Sequence, residues 1–208
     1  MKKLMVIAML LISSLAWAGD NAVVVGGGLA HTANSNYGDG GTLSARYERR
    51  VWGDLWAGPH YIYHGPMEHG SGNDDTPTDY GDLSGHSILA DLIYRPAWAR
   101  VGSLEAYVLG GAGWSWWDFN ESQATRDADI TVDMGDSFAY LFGVGLDYRL
   151  NANWLVGAEW SFYKTMIPKD ARYSDGSYSA LLGDDRASGR ERLGEEESRV
   201  VVSVRYER

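Results

Sequence analysis

The 208-residue chain carries 28 acidic residues against 18 lysines and arginines, for a formal net charge of −10, and has no cysteine. An acidic chain without a basic run is poorly suited to nucleic acid, and the lack of cysteine excludes a disulfide framework and thiolate chemistry. Beyond the first 18 positions no long apolar segment occurs, so any membrane-spanning part must hide its hydrophobicity in alternation.

The chain opens as a secretory signal. Met1-Lys2-Lys3 precedes an apolar run from Leu4 to Leu15, and Ala16-Trp17-Ala18 supplies the small-x-small cleavage site before Gly19. The apolar run is too short for a spanning helix, which needs about 20 residues. Residues 1–18 are therefore expected to be a signal peptide and residues 19–208 one domain.

Eight strands follow, at Ala22–His31, Thr42–Val51, Leu55–His64, Gly85–Arg95, Ser103–Asp118, Ser137–Leu150, Trp154–Thr165 and Arg199–Glu207. Gly26-Gly27-Gly28 in the first and Pro59 in the third are the least strand-like features. Short links, Trp52-Gly53-Asp54, Pro96 to Gly102 and Asn151 to Asn153, alternate with longer ones, the last from Met166 to Ser198. Short turns on one side and long loops on the other, with an even strand count, put both termini on the turn side.

The sixth and seventh strands show the pattern most clearly. Phe138, Tyr140, Phe142, Val144, Leu146 and Tyr148 fall on one face; Ser137, Ala139, Gly143, Gly145, Asp147 and Arg149 fall on the other, together with Leu141. A period of two is a strand with two unlike faces. The turn-forming Asn151-Ala152-Asn153 leads into Trp154, Val156, Ala158, Trp160 and Phe162 at the same parity. Glycine, alanine and serine with an occasional charge make a poor water-facing coat but a good lining for a narrow polar lumen. The bulky face then meets lipid, with aromatics at the two interfaces. The expected fold is all-β: an eight-stranded antiparallel up-and-down transmembrane β-barrel.

Gly110-Gly111-Ala112-Gly113-Trp114-Ser115, Gly143 to Tyr148, Asn153-Trp154 and Ala158-Glu159-Trp160 resemble the small outer-membrane barrels of Gram-negative bacteria, the OmpA-like, OmpX-like and OmpW-like families. The resemblance implies a location in the outer membrane, periplasmic termini, and lipid and lipopolysaccharide as surroundings. Val200 to Tyr206 is similar to the last strand that the assembly machinery reads in such proteins. Those chains usually end in an aromatic residue; this one continues through Glu207 and Arg208.

Strand parity puts Arg46, Glu48, Arg50, Asp91, Arg95, Glu105, Asp147, Arg149, Glu159, Arg199, Arg205 and Glu207 on the lumen face. If Leu150 pairs with Trp154, Asp147 faces Gly157 and Glu159 faces Gly145, so each charge projects over a glycine. Two readings stand: a salt-bridged plug that satisfies buried charges, and a permeation or ligand path lined by them.

No residue set points to catalysis or to a cofactor. His60 and His64 share a strand face, but about 13 Å of strand separates them, too far for one zinc with bonds near ~2 Å. His86 and Ser87 are neighbours in a strand and point to opposite faces, so they form no nucleophile–base pair. Neither Gly26-Gly27-Gly28 nor Gly110-Gly111 carries the Lys-Ser/Thr of a phosphate loop.

The long loops are acidic. Glu68, Asp74, Asp75, Asp79 and Asp82 fall in one, Asp127, Asp129, Asp133 and Asp136 in the next, and Glu195-Glu196-Glu197 in the last, which also carries Lys169, Arg172, Arg186, Arg190 and Arg192. Such oxygen-rich clusters suit divalent cations, which bridge lipid phosphates, although a solvated polar loop is the plainer explanation. The functional expectation is a structural, envelope-integrity or surface-contact role. A narrow solute channel is the alternative, and a lipid A-modifying barrel enzyme the third reading.

Overall fold

The structure, a computed structural model, describes residues 20–32, 39–70, 79–121, 136–166 and 196–208. Eight long strands form it: β1 Asn21–Thr32, β2 Gly40–Trp52, β3 Leu55–Gly70, β4 Asp79–Tyr94, β5 Leu104–Glu121, β6 Asp136–Arg149, β7 Trp154–Met166 and β8 Glu196–Glu207. Each pairs antiparallel with its chain neighbours, and β8 returns to β1 over Ala22↔Glu207 to Thr32↔Glu197. The sheet is therefore a closed barrel, which removes the unpaired edges that an open sheet would expose. Residues 1–18, read as a signal peptide, lie outside the described residues.

Register fixes the shape. Asn21 pairs with Arg49, then Ala57, Leu92, Gly110, Phe142, Phe162 and Ser198 follow across successive strands, and Ser198 pairs with His31. One circuit moves the chain ten residues along β1, from Asn21 to His31. With a rise of about 3.3 Å per residue and about 4.8 Å between strands, that stagger sets a strand tilt of about 41° and a backbone radius of about 8 Å. Side chains can fill a tube of that radius.

The turn side is tight. Gly53 and Gly102 take positive φ of 52° and 61° in their links, a conformation that suits glycine. The third link has no glycine; Asn151 Oδ1 instead accepts from the backbone N–H of Asn153 at 2.9 Å and of Trp154 at 3.0 Å. The Pro96–Gly102 link contains a 3₁₀ turn, Ala97–Ala99, and the two-residue strand Arg100–Val101, which pairs back on Glu105 and Leu104. Leu150 donates to the Trp154 carbonyl at 2.9 Å, so Asp147 does face Gly157, and Glu159 faces Gly145.

On the loop side the strands outrun the sequence reading. β3 continues past His64 to Gly70, and β4 starts at Asp79 rather than Gly85. A register shift between His64 and Met67 absorbs Gly65-Pro66; alternation is lost there and resumes with buried Met67, which hides the continuation from a strict period-two reading. Likewise β8 begins at Glu196, three residues before Arg199.

The outward face is apolar along the middle of the strands. Val25, Leu43, Ile88, Leu92, Val108, Phe142, Val144, Val202 and Val204 are exposed along the middle of the strands. Tyr61, Trp114, Trp116, Phe138 and Trp160 are exposed towards the loop ends, and Trp52, Tyr94, Trp98, Tyr148, Trp154 and Tyr206 towards the turn ends. A continuous band of this size far exceeds the apolar patches of water-soluble monomers and has the layout of a barrel that meets hydrocarbon between two aromatic girdles.

Candidate functional site

Among the described residues, charge is concentrated in the lumen. Inward parity gathers side chains from β2, β4, β6, β7 and β8 into a layer nearest the turn side. Arg46 of β2 donates through Nε to Glu48 at 2.8 Å and through Nη1 across the barrel to Glu159 of β7 at 3.0 Å. Arg95, just past β4, bonds Asp147 of β6 at 2.7 Å and reaches Glu48 at 3.4 Å. Arg205 of β8 lies 2.6 Å from the other Glu48 oxygen and 2.9 Å from Glu207. Asp91 sits 2.8 Å from His60 Nδ1 and 3.8 Å from Arg46. In the Arg46, Glu48, Asp91, Arg95, Asp147, Glu159 and Arg205 set no side chain is more than 5% exposed. Burial at that level is tolerable for ions only when they are paired.

Aromatic rings complete the layer. The Tyr107 hydroxyl donates to Glu159 at 3.0 Å while the Arg95 guanidinium lies over its ring at 4.1 Å. Trp56 is held between Arg50 and Arg205, each 4.9 Å from the ring centroid. Neither ring stands out in the sequence, because aromatics dominate the lipid face as well. Their inward parity, shared with His60 in β3 and Glu105 in β5, was the available signal.

The glycines of the lumen face serve large neighbours. A Cβ on Gly157 would collide with Asp147 Oδ1, and one on Gly111 with Asp91 Oδ1, so two carboxylates do lean over glycines on the adjacent strand. Gly145 differs from expectation: the space above it is taken by the Tyr107 ring rather than by Glu159. Gly85 lies in the same way under Trp117.

At the turn-side mouth the charges thin out. Arg149 bridges Glu105 at 2.7 Å and Glu207 at 2.8 Å, and Arg100 reaches Glu105 at 3.2 Å. Arg50, opposite Trp56 at the turn-side mouth, is half-exposed and pairs with Asp20 rather than with the carboxylates of the buried layer. These groups surround a cavity of about 150 Å³.

Two expectations need correcting. The lumen lining is polar over only part of its circumference: Ile62, Leu83, Leu89, Ile93, Leu109 and Leu141 form a buried apolar wall on the β3–β6 side. Glu197, placed in the acidic loop by sequence, belongs to β8 and turns inward, 2.8 Å from His64. Ser87 points away from His86 as expected, yet the neighbouring strand brings His64 Nε2 to 3.0 Å from its hydroxyl. Tyr61 instead holds His86 on the outward face at 2.7 Å.

Among the described residues no group of three or more His, Asp or Glu is placed to hold a metal ion. Asp74, Asp75, Asp127, Asp129, Asp133 and Glu195, with the basic residues 169–192, lie outside the described residues.

No family model and no curated protein matches the chain. Solved structures that share its fold include two with TM-scores above 0.5. Neisserial surface protein A superposes with a TM-score of 0.58 at 13% identity, over 91% of this chain and 99% of that one. The outer membrane protein OprG from Pseudomonas aeruginosa gives a TM-score of 0.58 at 13% identity, over 92% and 96%. The fold is that of the small eight-stranded outer-membrane barrels.

Proposed function

We propose that the chain is an outer-membrane barrel closed by its own charged interior, which contributes to envelope integrity or surface contact rather than passing solutes. The observation that carries this reading is the cross-lumen layer built on Arg46–Glu159, Arg95–Asp147 and Arg205–Glu48. A tube of about 8 Å backbone radius is filled by side chains of this size. The even strand count and short turns support periplasmic termini. The exposed apolar band supports lipid and lipopolysaccharide as its surroundings, and the acidic outer loops are suited to contacts through divalent cations. Val200–Tyr206, in the strand that closes the barrel on β1, is the segment offered to the assembly machinery. No cofactor is required.

Planar-bilayer recording of the purified barrel tests the reading. The intact protein is expected to give no steady conductance. Glu159→Ala, which leaves Arg46 without its partner across the lumen, is expected to give brief conducting events as water enters. A stable, ion-selective conductance from the intact protein would establish the channel reading instead.

A further inference from the structure

The cavity of about 150 Å³ at the turn-side mouth lies beyond the charged layer, and Arg50 and Arg100 at its rim are half-exposed. Four arginines line it, Arg50, Arg95, Arg100 and Arg149, against three carboxylates, Asp54, Glu105 and Glu207. Its wall is therefore net positive, on a chain whose formal charge is −10. Cavities of this volume admit a molecule as large as benzene.

The ion pairs at the mouth run short of negative charge. Arg100 Nε and Arg149 Nη2 converge on the same Glu105 oxygen, at 3.2 and 2.7 Å. Glu207 is likewise divided, between Arg149 at 2.8 Å and Arg205 at 2.9 Å. The row begins and ends on a cation, so three guanidiniums share two carboxylates. Asp54 takes no part in it; its Oδ2 accepts from the Ala97 backbone N–H at 3.0 Å. Arg95 is committed inward, to Asp147 and Glu48.

Donors are left over on the same side. Among the described residues Arg100 pairs only through Nε, with Glu105, and Arg50 only through Nη1, with Asp20. Each guanidinium carries five N–H donors and keeps its charge. Arg50, Arg100 and Arg149 come from the end of β2, the Pro96–Gly102 link and the end of β6, so they approach the cavity from different sides. A single guanidinium fork matches a planar carboxylate. Several forks set round one cavity match an ion with oxygens in several directions, and a phosphate group has that shape.

We propose that the turn-side mouth binds a phosphate group, held by Arg50, Arg100 and Arg149, with Arg95 as a buried positive charge at the floor. Trp56, gripped between Arg50 and Arg205, fixes the wall on β3. The bound anion offsets the surplus positive charge around Glu105 and Glu207 and takes up the unspent N–H donors. It arrives either free in solution or as the headgroup of a lipid at the barrel rim. The group stays outside the closed layer and needs no passage through the lumen. Failure of this site would therefore leave the closed-barrel reading standing.

The test is phosphorus NMR on the folded barrel in a maltoside detergent, which itself carries no phosphate. Inorganic phosphate and glycerophosphoethanolamine, a soluble lipid headgroup, are titrated separately at fixed ionic strength. Saturable line broadening with inorganic phosphate is expected if the ligand is free in solution, and with the headgroup alone if it is a lipid. Arg100→Gln, in a link outside the eight long strands, is expected to weaken binding at least about tenfold, as loss of a charged hydrogen bond does. Arg49→Gln removes an exposed cation that does not line the cavity, and is expected to bind as the unaltered protein does. Slower migration on boiling before an SDS gel identifies the variants that remain folded. No saturable broadening with either ligand, or equal weakening in folded Arg100→Gln and Arg49→Gln, would overturn the proposal.

Discussion

At the scale of single residues the interior follows one steric rule: a glycine on one strand makes room for a large inward side chain on the next. Tyr107 over Gly145, Trp117 over Gly85, Asp91 over Gly111 and Asp147 over Gly157 all obey it. Gly145→Ala would push the Tyr107 ring aside, breaking its hydrogen bond to Glu159 and its contact with Arg95. Overpacking of this kind costs about 1–3 kcal/mol. Gly110→Ala is the control, since its Cβ would meet only the Leu141 carbonyl, at 3.8 Å. Urea titration of both variants in lipid vesicles is expected to show a loss for Gly145→Ala and little change for Gly110→Ala; equal effects would remove the rule. The Asp147–Gly157 juxtaposition was legible from the hairpin register alone. That Tyr107 fills Gly145 was not, because it depends on β5, a strand whose register against β6 no short turn fixes.

At the scale of the strand, parity decides which residues meet lipid. β6 and β7 read clearly because their two faces differ in both size and polarity. β3 and β4 read poorly at their loop ends because Gly65-Pro66 breaks the alternation, so the longer strands, and the inward turn of Met67, were hidden. His64 and Ser87 illustrate the same limit: sequence compares neighbours in one chain segment, whereas a barrel wall sets side by side residues from adjacent strands. Parity also sets mutational cost. Phe142 is outward at the middle of β6, and Phe142→Arg is expected to destabilise the barrel by about 2–4 kcal/mol in lipid vesicles. Trp154, outward at the turn end of β7, should tolerate Trp154→Arg at about 0–1 kcal/mol. The reverse order would mean that the band assigned to the hydrocarbon is misplaced.

At the scale of the molecule, an outward apolar band and an inward charged layer require each other. Lipid accepts the bulky face, and the narrow tube that results leaves the charges no solvent except one another. Closure was legible from strand number and loop rhythm; the apolar wall on the β3–β6 side was not, since leucine and isoleucine occur at both parities. The central claim is that charges paired across the lumen hold the barrel shut, and the Arg46–Glu159 contact at 3.0 Å is its most direct instance. A double-mutant cycle of Arg46→Met and Glu159→Gln, followed by urea titration in lipid vesicles, measures it. Each single substitution should cost about 3–5 kcal/mol, with the double variant costing less than their sum by about 1–3 kcal/mol. Additivity within about 0.5 kcal/mol would contradict a paired, closed lumen.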